Sequence, residues 1–333
     1  MKELLSIKDL VTEIPLRDTV VYPVDHVSFS VNEGEAFGIV GESGSGKSMT
    51  CRSILRLLQP PAHVTHGEIV YDGKRISDYT ENEFAAVRGK GISMVFQDPM
   101  TSLNPVLRIG EQIFEAFDAS LTKQQRQEQA VELLKQVGIS SAEERLKEYP
   151  HQFSGGMRQR AMIAITLARN PRLLLADEPT TALDVTIQDQ ILTLLKKLQR
   201  ERNMGVVFVS HDLGVVARFC ERMAVMYAGQ IVEMSSVEEI FSNPQHPYTI
   251  GLMNSMPSLQ KVSEWLVPIS GMPPDLRALP QGCRFAPRCP WASSECEKAP
   301  IAISETAPGH FSRCLKAAEM KKLVSDAKNE RHE

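Results

Sequence analysis

The stretch Gly41-Glu42-Ser43-Gly44-Ser45-Gly46-Lys47-Ser48 constrains the fold of this chain more than any other. The apolar run Ala36-Phe37-Gly38-Ile39-Val40 precedes it and reads as a buried strand. The run from Met49 to Leu58 follows and reads as a helix. Strand, glycine-rich loop, then a lysine and a hydroxyl at a helix start is the order of a phosphate-binding loop in an α/β fold. Glycines let backbone N–H groups close around phosphate oxygens with no Cβ in the way. The helix N-terminus adds partial positive charge. Lys47 then reaches β- and γ-phosphates, and the Ser48 hydroxyl ligates Mg²⁺.

The rest of the chain says what the nucleotide is for. With 333 residues there is room for one large domain or two smaller ones, and 42% apolar and 23% charged residues suit a packed core. The net charge of −4 gives no support to a nucleic-acid partner held by phosphate attraction. Acids interrupt the apolar part of Met1-Lys2-Glu3-Leu4-Leu5-Ser6-Ile7-Lys8-Asp9, which excludes a signal-peptide reading. No apolar run approaches the ~18 residues of a membrane helix, so any membrane role comes through a partner.

Residues 4–10, 24–31, 67–71 and 92–96 read as strands. Gln97-Asp98-Pro99-Met100-Thr101-Ser102-Leu103-Asn104-Pro105 reads as a polar, proline-bounded loop. Over 109–137 the period becomes helical, with Ile109, Ile113, Phe114 and Phe117 on one stripe and Val131, Leu134 and Val137 on another. Core packing is the expected role of both stripes. At Phe153-Ser154-Gly155-Gly156-Met157-Arg158-Gln159-Arg160 a glycine pair opens a helix predicted to run to about Arg169, a second helix N-terminus suited to phosphate. Leu173-Leu174-Leu175-Ala176-Asp177-Glu178 is an apolar strand ending in two acids: a strand-end aspartate holds the Mg²⁺ shell, and an adjacent glutamate orients or deprotonates a water. Thr181-Ala182-Leu183-Asp184 leads into a helix over about 186–200. The strand Val206-Val207-Phe208-Val209 ends at Ser210-His211-Asp212, where His211 is placed to sense a γ-phosphate.

This ordered set resembles the nucleotide-binding subunit of an ATP-binding-cassette (ABC) protein over roughly residues 1–240. The resemblance implies an α/β P-loop fold: a RecA-like core, an antiparallel β-subdomain and a helical subdomain at about 106–170. It implies that Gly41, Ser43, Gly44, Ser45, Gly46, Lys47, Ser48, Met49 and Gln97 bind ATP. Mg²⁺ falls to Ser48, Gln97 and Asp177. Glu178 becomes the catalytic base and His211 the switch histidine, with Lys47 on the phosphates. Ser154, Gly155, Gly156 and Gln159 face ATP held by a second subunit, so two cassettes meet head to tail. The sequence departs from the family at Met49, commonly Thr or Ser, which leaves that α-phosphate contact to the backbone. It departs again in lacking an obvious adenine-stacking ring, Tyr22 being a displaced candidate.

The chain beyond 240 narrows the resemblance. The long 97–105 loop, His246-Pro247-Tyr248-Thr249 with Gly251-Leu252, Ile269-Ser270-Gly271-Met272-Pro273-Pro274 and Gly282-Cys283-Arg284-Phe285-Ala286-Pro287-Arg288-Cys289-Pro290 are similar to the oligopeptide/dipeptide/nickel importer ATPases of the "D" type. Residues 241–333 then form a C-terminal extension. The family implies a second ABC ATPase (hetero- or homodimer, with unlike pairs usual), two membrane permeases, an external substrate-binding protein, no nucleic acid, and a place on the cytoplasmic face of the inner membrane.

Of six cysteines, Cys51 and Cys220 read as core residues. Cys283, Cys289, Cys296 and Cys314 are spaced C-x5-C-x6-C-x17-C, neither a common zinc module nor a ferredoxin run. By ligand count they suit a [4Fe–4S] cluster or Zn²⁺, with free thiols the remaining reading, and a disulfide framework is disfavoured without an export signal. The family tilts the expectation to [4Fe–4S], with Arg284, Arg288, Lys298 and Arg313 offsetting its charge. Residues 315–333 read as an exposed helix fraying into a disordered end. The expected function is ATP hydrolysis coupled to oligopeptide or dipeptide uptake. The alternatives are the same motor with a nickel-chelate or glycoside cargo, or a soluble cassette acting on nucleic acid or ribosomes.

Overall fold

The computed structural model describes residues 2–181, 183–256 and 268–329. Ala182, and residues 330–333 at the end of the stretch 315–333 read as a fraying helix, lie outside these residues. The chain forms two compact units: one from residues up to 5, 31–36 and 71–209, the other from 6–30, 37–70 and 210 onward.

The first unit is built on the parallel strands Ile92–Val95, Leu173–Asp177 and Gly205–Ser210, with Ile92 opposite Leu173 and Leu173 opposite Gly205. Every residue of the three is buried, as continuous apolar runs require. The 109–137 stretch is two helices, Ile109–Ala116 and Lys123–Gln136, not one. The break has a local cause: Thr122 caps the second helix by accepting from Gln125 N at 3.3 Å. The predicted stripes are buried as expected, apart from half-buried Phe114. The 97–105 stretch is not all loop. Asp98 accepts from Met100 N at 2.7 Å and nucleates the turn of helix Pro99–Ser102, with proline at the first position. The helices Gly155–Leu167 and Val185–Glu201 complete this unit.

In the second unit the strands Val20–Asn32, Glu3–Pro15 and His63–Tyr71 lie side by side in that order, for most of their length. Each runs longer than its alternating pattern alone suggests. A second sheet starts from Ala36–Val40, which pairs in parallel with Arg222–Tyr227. Arg222–Tyr227 pairs antiparallel with Gln230–Ser236. The tail then adds two strands, His310–Ser312 on Gln230–Ser236 and Ser304–Ala307 outside it. Strands of three and four residues are too short to carry a readable period.

A buried carboxylate fixes that junction. Glu233 accepts from Gln245 N at 2.6 Å, His246 N at 3.0 Å and His310 Nε2 at 2.8 Å. Three donors offset the cost of burying its charge. Helix Met320–Asn329 follows. Met320, at its start, is buried, so the helix is anchored at one end rather than wholly exposed.

Candidate nucleotide site

In the second unit the loop after Val40 turns into helix Lys47–Ile54 through Gly46, at φ 105° and ψ −1°. An alanine there would carry strained backbone, and its Cβ would stand 2.0 Å from the Pro23 carbonyl oxygen. Gly44 is also left-handed and faces open space, so the loop tip of Ser43 and Gly44 is exposed. Lys47 is 4% exposed and donates to the carbonyls of Gly41 at 2.8 Å and Glu42 at 2.9 Å. Its ammonium is thus folded back over the loop, where phosphate oxygens would compete with those carbonyls.

Among the described residues the buried Ser45 Oγ has no hydrogen-bond partner. Ser48 and Met49 are half-buried in the first turn of the helix. Met49 carries no hydroxyl, and its carbonyl accepts from Ser53 Oγ at 2.7 Å. His211 is exposed directly after its strand. Asp212 beside it caps the next helix by accepting from Gly214 N at 2.8 Å and Val215 N at 3.2 Å. Tyr22 is 38% exposed on its strand.

In the first unit Asp177 ends its strand at 1% exposure. Glu178 follows at φ 46°, a left-handed conformation that glutamate rarely adopts. Its backbone is held by Glu178 N donating to Val209 O at 2.9 Å. Its carboxylate accepts from Thr181 Oγ1 at 2.8 Å and Gln97 Nε2 at 3.2 Å on the same oxygen. This hydrogen-bonded glutamate, half-buried at a strand's carboxyl end, is posed for general-base work. Thr181 escaped the sequence reading, although its spacing of three from Glu178 is that of a turn partner.

Ser154 caps helix Gly155–Leu167, accepting from Met157 N at 3.3 Å. Ser154 and Gly155 are exposed and Gly156 half-buried, whereas Gln159 is 2% exposed and its Nε2 has no partner among the described residues. A Cβ at Gly156 would stand 2.8 Å from Ile187 Cγ2. Gln97 and Asp177 in this unit, and Ser48 in the other, each carry a hard oxygen donor of the kind that suits Mg²⁺.

The ABC transporter family matches this chain over residues 24–181. The oligopeptide transport ATP-binding protein OppD of Bacillus subtilis is 51% identical over 293 residues, 87% of this chain and 82% of that protein. The chain belongs to the ABC transporter family. Within this family it lies in the oligopeptide/dipeptide branch: the oligopeptide/dipeptide transporter C-terminal region matches residues 232–296. The dipeptide transport ATP-binding protein DppD of B. subtilis is 46% identical over 335 residues, 99% of this chain and all of that one. Among solved structures, the dimeric bacterial ABC transporter cassette MJ0796 is similar, with TM-score 0.63 and 32% identity over 70% of this chain and 99% of that cassette. The ABC cassette fold implied by the resemblance of the ordered motifs is the fold found.

Two expectations for this ABC chain are corrected. Among the described residues no group of three or more His, Cys, Asp or Glu side chains is arranged to hold a metal ion, which removes the [4Fe–4S] cluster. Cys283, Cys289, Cys296 and Cys314 are free thiols around one cavity of about 20 Å³, walled by Phe285, Trp291, Leu315 and Met320. That volume holds about one water, far less than a cluster needs. Burial in this apolar wall pushes the Cys289 thiol up to about 11 and Cys314 up to about 12.

The nearby guanidinium groups hydrogen-bond to other partners, and of them Arg313 also acts on Cys283 through its charge. Arg284 pairs with Asp25, Arg288 with Glu42, and Arg313 donates to the carbonyls of Ile231 and Ile301. The expectation of a heterodimer is corrected as well. The relatives are named oligopeptide transport ATP-binding proteins, which gives a heterodimer no support, and among the described residues no metal site appears.

Proposed function

We propose that this chain is the ATP-hydrolysing subunit of a membrane importer for oligopeptides or dipeptides. The likeness to the oligopeptide and dipeptide transport ATP-binding proteins over nearly the whole chain supports the transport role. The observation that carries the ATPase role is the phosphate loop, with left-handed Gly46 and buried Lys47 aimed along it. Transmembrane permease subunits are its working partners. Among the described residues no helix is long and apolar enough to cross a membrane, which suits a subunit held peripherally on the cytoplasmic side.

The residue roles follow the chemistry. The backbone of 43–49 and Lys47 hold the phosphates. Ser48, Gln97 and Asp177 hold Mg²⁺, which supplies charge neutralisation on the β- and γ-oxygens when bound. Glu178 takes the proton of the attacking water, and Gln97 and Thr181 fix its orientation. His211 senses the γ-phosphate. Ser154, Gly155 and Gly156 contact ATP held by a second cassette, consistent with a dimeric cassette among the solved structures. Residues 1–240 are assigned to this ATPase work and 241–333 to an extension. An external binding protein delivers peptide, and none of these roles uses nucleic acid. The test is ATP turnover by the chain assembled with its permeases in vesicles. Peptide-loaded binding protein is expected to stimulate hydrolysis, and turnover indifferent to peptide would overturn the cargo.

A further inference from the structure

The second residue of the phosphate loop is an acid, and an acid beside a triphosphate is electrostatically costly. Glu42 is not left to solvent. Arg288, far along the chain, forms a two-point pair with its carboxylate, Nη1 to Oε2 at 2.7 Å and Nη2 to Oε1 at 3.0 Å. The Arg288 side chain is 4% exposed and that of Glu42 27%. Such a fork is the strong, directional form of an ion pair.

The same peptide is held from two more sides. Glu42 N donates to the Tyr248 hydroxyl at 2.8 Å, and Glu42 O accepts from Lys47 at 2.9 Å. Tyr248 is fully buried. Arg288 is itself fixed: its Nε donates to Ser270 O at 2.9 Å and its Nη1 reaches the Tyr227 hydroxyl at 3.3 Å. Its guanidinium carbon lies 5.8 Å and 5.9 Å from the centroids of Tyr227 and Phe285. Those rings pack with Tyr248 at centroid distances of 4.6 and 5.4 Å. The turn Ala286–Arg288 and the helix Pro247–Asn254 thus converge on one residue of the loop.

The geometry points to Arg288 as a positioning residue for ATP: it neutralises Glu42 and, with Tyr248, fixes the entry of the phosphate loop. The inference rests on the reading that residues 41–48 bind ATP. Its consequence has a sign that packing alone does not give. Removing Arg288 leaves an uncompensated carboxylate at the phosphates, and removing that carboxylate too restores binding.

The test is equilibrium titration of the full chain with MgATP at low and moderate salt, paired with steady-state ATP turnover. Arg288→Ala is expected to weaken binding about tenfold, more at low salt, and to raise the KM for ATP while kcat stays within about twofold. Glu42→Gln with Arg288→Ala is expected to return to within about threefold of the parent, and Arg288→Lys to fall between. Unchanged binding by Arg288→Ala, or a double variant as weak as the single, overturns the inference. So does a loss of kcat at constant KM, the mark of a smaller folded fraction. Should Arg288→Ala fail to fold, Arg288→Lys with and without Glu42→Gln carries the same comparison. Lys47→Ala separates the two levels. If it binds MgATP like the parent, the loop reading itself fails; if it loses binding while Arg288→Ala keeps it, only the positioning role falls.

Discussion

The phosphate loop and the cysteine-bearing tail were both read from short motifs, yet only the first keeps in the structure the local form its motif predicts. In the loop the motif is a matter of backbone conformation over eight consecutive residues, and left-handed Gly46 and the following Lys47 sit where it puts them. In the tail the residue types suggested a cluster, but distant packing decided the matter. The Phe285 and Trp291 rings wall a cavity too small for it, and Arg288 reaches away from the thiols to Glu42. A motif whose atoms are mostly backbone survives its context, whereas a set of side-chain ligands is remade by it.

The largest effect is expected from Gly46→Val. Its Cβ would collide with the Pro23 carbonyl, and a β-branched residue at φ 105° is strained. MgATP binding should be abolished and stability lowered by roughly 3 kcal/mol or more, read by denaturant unfolding. A variant that binds normally would show that the loop does not depend on its backbone.

Phe285→Ala comes next and probes the tail as packing. Phe285 is 2% exposed and stands edge-on to Tyr227 at 5.2 Å. Truncation should cost about 3–5 kcal/mol in the same unfolding measurement. A cost below about 1 kcal/mol would mean that the tail is not an integral part of the core.

A smaller effect attaches to pH. His246 is buried, and burial together with Arg313 holds its imidazole at about 3, well below the usual range near 6.5. Its Nδ1 accepts from Tyr248 N at 3.1 Å, which needs the unprotonated ring. Because the folded value is depressed, the unfolded chain binds the extra proton between about pH 6.5 and 3. The contribution is therefore complete above pH 6.5 and is lost as pH falls through that window. The melting midpoint should drop on acidification, and His246→Asn, which keeps a capping acceptor, should flatten that slope. An equal slope in both proteins would assign the acid sensitivity elsewhere.

The smallest effect is Cys289→Ser, expected to cost about 1 kcal/mol and to leave metal content unchanged. Stoichiometric iron and sulfide in the parent, lost in the variant, would reverse the correction made for the tail.

What was legible follows the same division. The buried strands Ala36–Val40 and Leu173–Asp177 were plain as apolar runs. So were the acids at the end of the second. The two tail strands were not, because three or four residues carry no period, and the seat of His310–Ser312 on Gln230–Ser236 is fastened by Glu233 and His310, far apart in sequence. Thr181 was within reach of a turn argument. Arg288 was not, since no spacing rule links residues 42 and 288.

The most direct test of the ATPase assignment is Glu178→Gln, with MgATP binding and turnover measured on the same preparation. The substitution keeps the shape and the left-handed backbone but removes the base. Binding should stay at the parent's level while hydrolysis falls by at least about a hundredfold. Hydrolysis at the parent's rate would show that Glu178 does not take the proton from water and that the catalytic centre has been misassigned.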